Sequence, residues 1–242
     1  MKEAMSRNME ADYFYIADLG SLPYGSKTPE QVQGRCLSLA NCFKDLDCDA
    51  LVVACNTATA LGIDSLRKMF HFPIIGVEPY LNYINKVNKD SFKKGELAAL
   101  VTPNTFESQR LRELKQKRDP LNTIDVIPMP GLALAIEELI EGKDWSLFEE
   151  QSEDLFSGIG QNIKTLLLGC THYPLVAEFV RKKLNVETVC PTKEVIDHLI
   201  RVLGDKALFT ESEDRERKFF HYASSENGPW FEREISDFIF WS

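Results

Sequence analysis

The stretch "TLLLGCTHYPLVA" (165–177), read with its distant counterpart "ALVVACNTATALG" (50–62), decides the architecture of this chain. In each, an apolar run ends in a small residue and a Cys, polar residues including Thr follow, and a helical pattern begins. Neither run alternates apolar with polar residues, which fits strands buried on both faces, as in a parallel sheet. The same rhythm extends outward along the chain. "DYFYIAD" (12–18), "ALVVAC" (50–55), "PIIGV" (73–77), "LAALVT" (97–102), "NTIDVIPM" (122–129), "KTLLLGC" (164–170), "VETVC" (186–190) and "KFFHYAS" (218–224) read as strands. Helices are expected over 29–46, 57–70, 79–89, 104–118, 131–141, 147–162, 174–184, 192–203 and 229–240. Thr28 before Pro29, Pro103 with Asn104, Pro174, and Pro191 with Thr192 supply helix-start signals. Strands alternating with helices mean βαβ units and a largely parallel sheet. The two Cys-bearing elements lie far enough apart for each to belong to its own domain, with the Lys-rich 86–95 region as crossover.

At 242 residues the chain is long enough for one large domain or two modest ones. Its 44% hydrophobic and 27% charged residues are ordinary for a globular protein. A net charge of -9 argues against a nucleic-acid or anionic-membrane surface, although a local site for a small anion stays compatible with it. No apolar run reaches the roughly 20 residues that span a bilayer. The start, "MKEAMSRNMEADYF", lacks the apolar core of a signal peptide, so a cytoplasmic location is expected. Six Cys without a CxxC pair suggest free thiols rather than a disulfide framework or zinc site.

Cys55 and Cys170 both sit where strand gives way to helix, the edge of an open α/β sheet at which ligands bind. Helix N-termini there offer unpaired N–H groups and a positive dipole end, which favour a thiolate. The same N–H groups, with the hydroxyls of Thr57 and Thr171, suit a carboxylate. A single strand-end Cys is most often packing, and Cys36, Cys42, Cys48 and Cys190 read that way. Two in matching contexts are harder to dismiss. Cys170 and His172 alone are too few ligands for a metal. A Cys/His nucleophile pair stays open, but it leaves the repeat at Cys55 unexplained. Two thiols flanking one carbon would invert a stereocentre, one as base and the other as acid.

"ACNTATA" (54–60) with "LGCTHYPL" (168–175) resembles the glutamate racemases, cofactor-independent enzymes that supply D-glutamate for bacterial peptidoglycan. "LPYGSK" (22–27) is similar to the family's substrate loop, "ADLG" (17–20) to the strand end before it, and "GVEP" (76–79) to the segment entering the second lobe. "VTPNTFESQ" (101–109) is similar to the element opening that lobe. The resemblance implies two flavodoxin-like, doubly wound parallel-sheet α/β domains in pseudo-twofold relation, with the active site between them. Residues 1–79 plus 191–242 would form the first lobe and 80–190 the second. It implies Cys55 and Cys170 as the acid/base thiols, His172 assisting Cys170, and Glu137 as an auxiliary acid, with Glu138 one register away. Tyr24 and Gly25 would form the substrate loop. Asn56, Thr57, Thr171 and His172 would bind L- or D-glutamate. No cofactor, metal, nucleic acid or membrane is implied; a homodimer is compatible. Related aspartate and hydantoin racemases share the two-thiol plan, and "CNTAT" with "CTHYP" favours glutamate among them.

One element of that family does not match. Glutamate racemases open with a strand ending in "DSGxGG", and nothing in "MKEAMSRNMEADYFYIAD" resembles it. The chain reads as beginning one strand late. A misplaced start codon is the favoured account, ahead of an inactive homologue that binds a partner and a short active racemase. A chain this short is expected to leave neighbouring strand edges unpaired and to show low activity and stability.

Overall fold

The computed structural model describes residues 2–7, 9, 11–44, 46, 48–87, 92–142, 144–206, 219–223 and 231–233. At its centre lies a parallel sheet in the order β5-β4-β6-β7, built from β4 (Leu97–Val101), β5 (Ile124–Pro128), β6 (Thr165–Gly169) and β7 (Glu187–Val189). β4 and β6 are buried at every residue. Their side chains divide by parity, as a pleated strand requires. Ala98, Leu100, Leu166 and Leu168 face a core with Leu132 and Ile136 of α6 (Leu132–Ile140) and Phe148 and Phe156 of α7 (Trp145–Phe156). Leu97, Ala99, Val101 and Leu167 face the opposite core, with Leu81, Ile84 and Leu111. Each fully buried Leu contributes about 2 kcal/mol of transfer free energy, so two-faced burial explains the unbroken apolar runs.

The remaining strands form two smaller sheets. β2 (Leu51–Val53) pairs in parallel with β3 (Ile74–Gly76). β1 (Tyr13–Ala17) pairs in parallel with β8 (Phe219–Ala223), which pairs antiparallel with β9 (Phe231–Arg233). Val32, Cys36 and Ala40 of α2 (Pro29–Asn41) and Ile63 and Leu66 of α3 (Asn56–Met69) cover one side of β2-β3. Ala4 of α1 (Lys2–Ser6) and Ile196 and Leu199 of α9 (Thr192–Leu203) cover the other, and Tyr13 of β1 joins that cluster. β1 and β2 form no ladder with each other, and both are half-buried along their length.

All eight expected strands are present. The helices over 79–89 and 229–240 are not formed as read. Leu81–Asn85 is a short 3-10 helix, and Phe231–Arg233 is strand β9, with 229–230 and 234–240 outside the described residues. The span 104–118 is two helices, α4 (Pro103–Glu107) and α5 (Gln109–Arg118), because Ser108 is extended and caps the second through Leu111 N–H. The span 174–184 splits into a 3-10 turn at Tyr173–Val176 and α8 (Ala177–Leu184).

Candidate active site

In the four-stranded sheet β5 lies on one side of β4 and β6 on the other, so strand order reverses between β4 and β6. That reversal opens a crevice at the carboxyl edge of the sheet. Val101 and Gly169 are register partners, so Thr102 and Cys170 leave the sheet edge together. Cys170 is buried, and its Sγ lies 3.6 Å from Nδ1 of His172. On its far side His172 hydrogen-bonds through Nε2 to Oε1 of Glu137, which α6 projects inward. Burial opposes a charge on this imidazole, but the hydrogen bonds to Cys170 and Glu137 push its pKa up to about 10. His172 is thus held protonated at neutral pH between a sulfur and a carboxylate. Glu137, rather than Glu138, makes this contact. Tyr173 is buried beside Cys170, and its hydroxyl has no partner among the described residues.

The other thiol enters from β2. Cys55 has extended backbone (φ -154°, ψ 124°) and caps α3, its Sγ accepting from the N–H of Ala58 at 3.4 Å. A sulfur does there what Ser or Asp oxygens usually do at a helix start. Burial pushes the Cys55 thiol up to about 11; the bond from Ala58 opposes this, charge on Cys170 adds to it, and N–H and hydroxyl of Thr57 oppose it. The two sulfurs therefore share one electrostatic environment while their surroundings differ. Cys170 has a cationic imidazole at hand; Cys55 has only hydroxyl and amide dipoles.

Side chains from both halves close around the thiols. Thr57 Oγ1 lies 2.9 Å from Thr102 Oγ1, and Thr171 Oγ1 donates to the Ala54 carbonyl at 3.3 Å. Tyr24 and Gly25 form a 3-10 turn with Ser26. The Tyr24 hydroxyl donates to Asp18 Oδ2, and Arg35 of α2 grips the same carboxylate from Nε at 2.8 Å. Asn104 of α4 donates its amide to the carbonyls of Tyr24 (3.0 Å) and Lys27 (2.6 Å), fixing the turn against the other half of the molecule. A Cβ on Gly25 would come within 3.3 Å of Thr102 Cβ, so glycine permits this close approach. Asn56 is 2% exposed, and neither end of its amide has a partner among the described residues. It lines a cavity of about 10 Å³ with Thr59, Glu78 and Arg110, room for one water. No group of three or more His, Cys, Asp or Glu side chains suited to a metal occurs among the described residues.

The geometry thus brings together Cys55, Thr57, Glu137, Cys170, Thr171 and His172, with Tyr24 and Gly25 at their margin. Four participants escaped the sequence reading: Asp18, Arg35, Thr102 and Asn104. Asp18 follows a strand directly, a signal that could have exposed it, and Thr102 and Asn104 lie beside Pro103 at the sheet edge. Arg35 carries no such signal, because its role depends on how α2 packs.

The sequence profile of the Asp/Glu/hydantoin racemases matches residues 1–199. A glutamate racemase of Fusobacterium nucleatum is 32% identical over 224 residues, covering 91% of this chain and 82% of that protein. One from Pseudomonas syringae pv. tomato is 33% identical over 211 residues, 85% of this chain and 74% of that protein. Among solved structures, a glutamate racemase isoform of Bacillus anthracis superposes with a TM-score of 0.76 at 27% identity, over 92% of this chain and 83% of that one. The enzyme of Campylobacter jejuni gives 0.73 at 25% identity, over 93% and 87%. These likenesses agree with the α/β architecture of two flavodoxin-like halves. The chain belongs to the Asp/Glu/hydantoin racemase family.

Proposed function

We propose that the chain is a glutamate racemase that interconverts L- and D-glutamate with Cys55 and Cys170 as its two acid/base groups. The observation that carries this reading is the convergence of two strand-end thiols, from different sheets, with unlike electrostatic surroundings. Protonated His172 lies 3.6 Å from the Cys170 sulfur, while burial keeps Cys55 a thiol. Acting as the base, Cys170 removes the α-proton of L-glutamate from one face. Cys55 then delivers its own proton to the opposite face of the planar carbanion, leaving D-glutamate. The reverse cycle starts with Cys55 as thiolate and Cys170 as thiol. Glu137 holds His172 in line, and the N–H groups opening α3 with Thr57, Thr171 and Asn56 receive substrate carboxylate. Tyr24 and Gly25 close the pocket.

The division of labour follows the lobes proposed from sequence: residues 1–79 plus 191–242 bring Cys55, and 80–190 bring Cys170. The chemistry calls for no cofactor. Its biological output would be D-glutamate for peptidoglycan, made in the cytoplasm, by a monomer or homodimer. Among the described residues no helix is long and apolar enough to cross a membrane.

The test is circular dichroism of the purified chain with L-glutamate, and separately with L-aspartate. Glutamate ellipticity should decay to zero, with aspartate slower, and the rate should fall as pH rises through about 10, where His172 loses its proton. Faster loss with aspartate would overturn the substrate assignment. No loss with either would overturn the catalytic one.

A further inference from the structure

The turn that carries Tyr24 and Gly25 is held more closely from outside than by itself. Its own closing bond, from the Lys27 N–H to the Tyr24 carbonyl, is 3.3 Å, and Ser26 Oγ donates to the Pro23 carbonyl at 3.2 Å. A 3-10 turn generally has poorer hydrogen-bond geometry than an α-helix. Asn104 makes two shorter bonds from α4, its Nδ2 donating to the carbonyls of Tyr24 at 3.0 Å and Lys27 at 2.6 Å. A carbonyl oxygen only accepts, so the nitrogen end of the amide must face the turn, and both its protons are spent there. Asn104 is itself placed by the sheet. It stands second in α4, behind Pro103 and the Thr102 cap, just past the end of β4. Val101, the last residue of β4, is in register with Gly169, which precedes Cys170. Asn104 therefore fixes the Tyr24–Lys27 segment relative to the strand ends from which Cys170 leaves. The bond from the Tyr24 hydroxyl to Asp18 orients the ring, not the backbone of the turn.

We propose that Asn104 is a positioning residue for substrate binding, which holds the backbone of the Tyr24–Lys27 turn in place by two donated hydrogen bonds. The substrate role rests on the racemase reading; the anchoring of the turn does not. Tyr24 and Gly25 close the pocket and carry no proton in that reading. Loss of the anchor should therefore weaken substrate and transition state alike, raising KM and sparing kcat. Only a donor of this shape serves. Alanine donates nothing, and aspartate, which has the outline of asparagine, sets a carboxylate against two carbonyl oxygens. Neither change strips α4 of its Thr102 cap, and an acid in the first turn suits the helix dipole.

The experiment pairs trypsin cleavage of the native chain with glutamate kinetics in Asn104→Ala and Asn104→Asp. Trypsin cuts after Lys27 at the carbonyl that Asn104 holds, and the rate follows the population in which that segment has left its place. Peptide mass spectrometry reads the initial rate after Lys27, with cleavage after the exposed Lys206 as internal reference. In both variants cleavage after Lys27 should run about tenfold faster than in the wild type, as for loss of one or two ordinary hydrogen bonds. Cleavage after Lys206 should be unchanged. KM for L-glutamate should rise about tenfold, with kcat within about twofold of the wild type. Asn104→Asp at the wild-type level in both readouts would mean that shape rather than donation holds the turn, and would overturn the proposal. Wild-type cleavage after Lys27 in both variants, or a fall in kcat with KM unchanged, would overturn it too. Proteolysis needs no turnover, so failure of the racemase reading would appear separately, as absence of racemisation by the wild type.

Discussion

Replacing Cys55 or Cys170 by Ser is expected to remove the proposed racemisation, each single change lowering the rate by about 10³-fold or more. The argument is one of proton affinity and geometry. A serine hydroxyl fits the space of the thiol, but it neither takes a proton from an α-carbon nor survives as an anion at neutral pH. Because inversion needs a base on one face and an acid on the other, the surviving thiol cannot complete the cycle alone. The two losses should therefore be alike, and the double variant should be no worse than either single one, as for groups that act as a unit. Circular dichroism of glutamate with the three variants measures this. If either single variant kept wild-type turnover, that thiol would have no part in the chemistry.

Gly169→Ala is expected to weaken both the fold and the site, although it touches no reacting group. Gly169 ends β6, immediately before Cys170. A Cβ there would lie 2.6 Å from the Leu100 carbonyl oxygen and 2.8 Å from Val101 Cγ1, with Pro79 Cβ at 3.4 Å. The first of these is backbone of the paired strand, which has no rotamer with which to yield. β6 must part from β4 where Val101 and Gly169 are in register, carrying Cys170 out of line. Overpacking of this kind costs about 1–3 kcal/mol, and a displacement of roughly 1 Å at a reacting group costs on the order of 10²-fold in rate. Urea unfolding and glutamate turnover, measured side by side, read the two effects. Gly34→Ala is the control: α2 offers open space around that position, so the variant should gain about 0.5–1 kcal/mol and keep its turnover. Unchanged stability in Gly169→Ala would mean that the strands are not as closely joined as described.

The strands were legible because burial on both faces writes itself as an uninterrupted apolar run, as in Leu97–Val101 and Thr165–Gly169. Helix starts with strong chemistry were legible too: Thr28 and Gln31 form the reciprocal cap that Thr28-Pro29 announced. What failed was where local pattern competes with context. Ser108 divides an apparently continuous helix because its hydroxyl caps the next one, a choice its sequence neighbours do not announce. The segment 79–89 carries apolar residues at helical spacing, yet closes only a short 3-10 turn whose Leu81 and Ile84 fill a core beneath β4. In the site, the thiols and His172 stood out by residue type and position at strand ends. The Asp18–Arg35–Tyr24 linkage and the Asn104 strap did not, since they join residues whose proximity is created only by packing.

The central claim, that two thiols work from opposite faces, is tested most directly by racemisation in D₂O. L-glutamate is supplied with hydrogen at Cα, and both enantiomers are analysed by chiral separation and mass spectrometry during the first few per cent of conversion. The expected result is deuterium at Cα in the D-glutamate formed, because Cys55 delivers a solvent-derived proton, with the remaining L-glutamate still unlabelled. Transfer of the original hydrogen into D-glutamate, or equal early labelling of both enantiomers, would mean that one group serves both faces and would contradict the account.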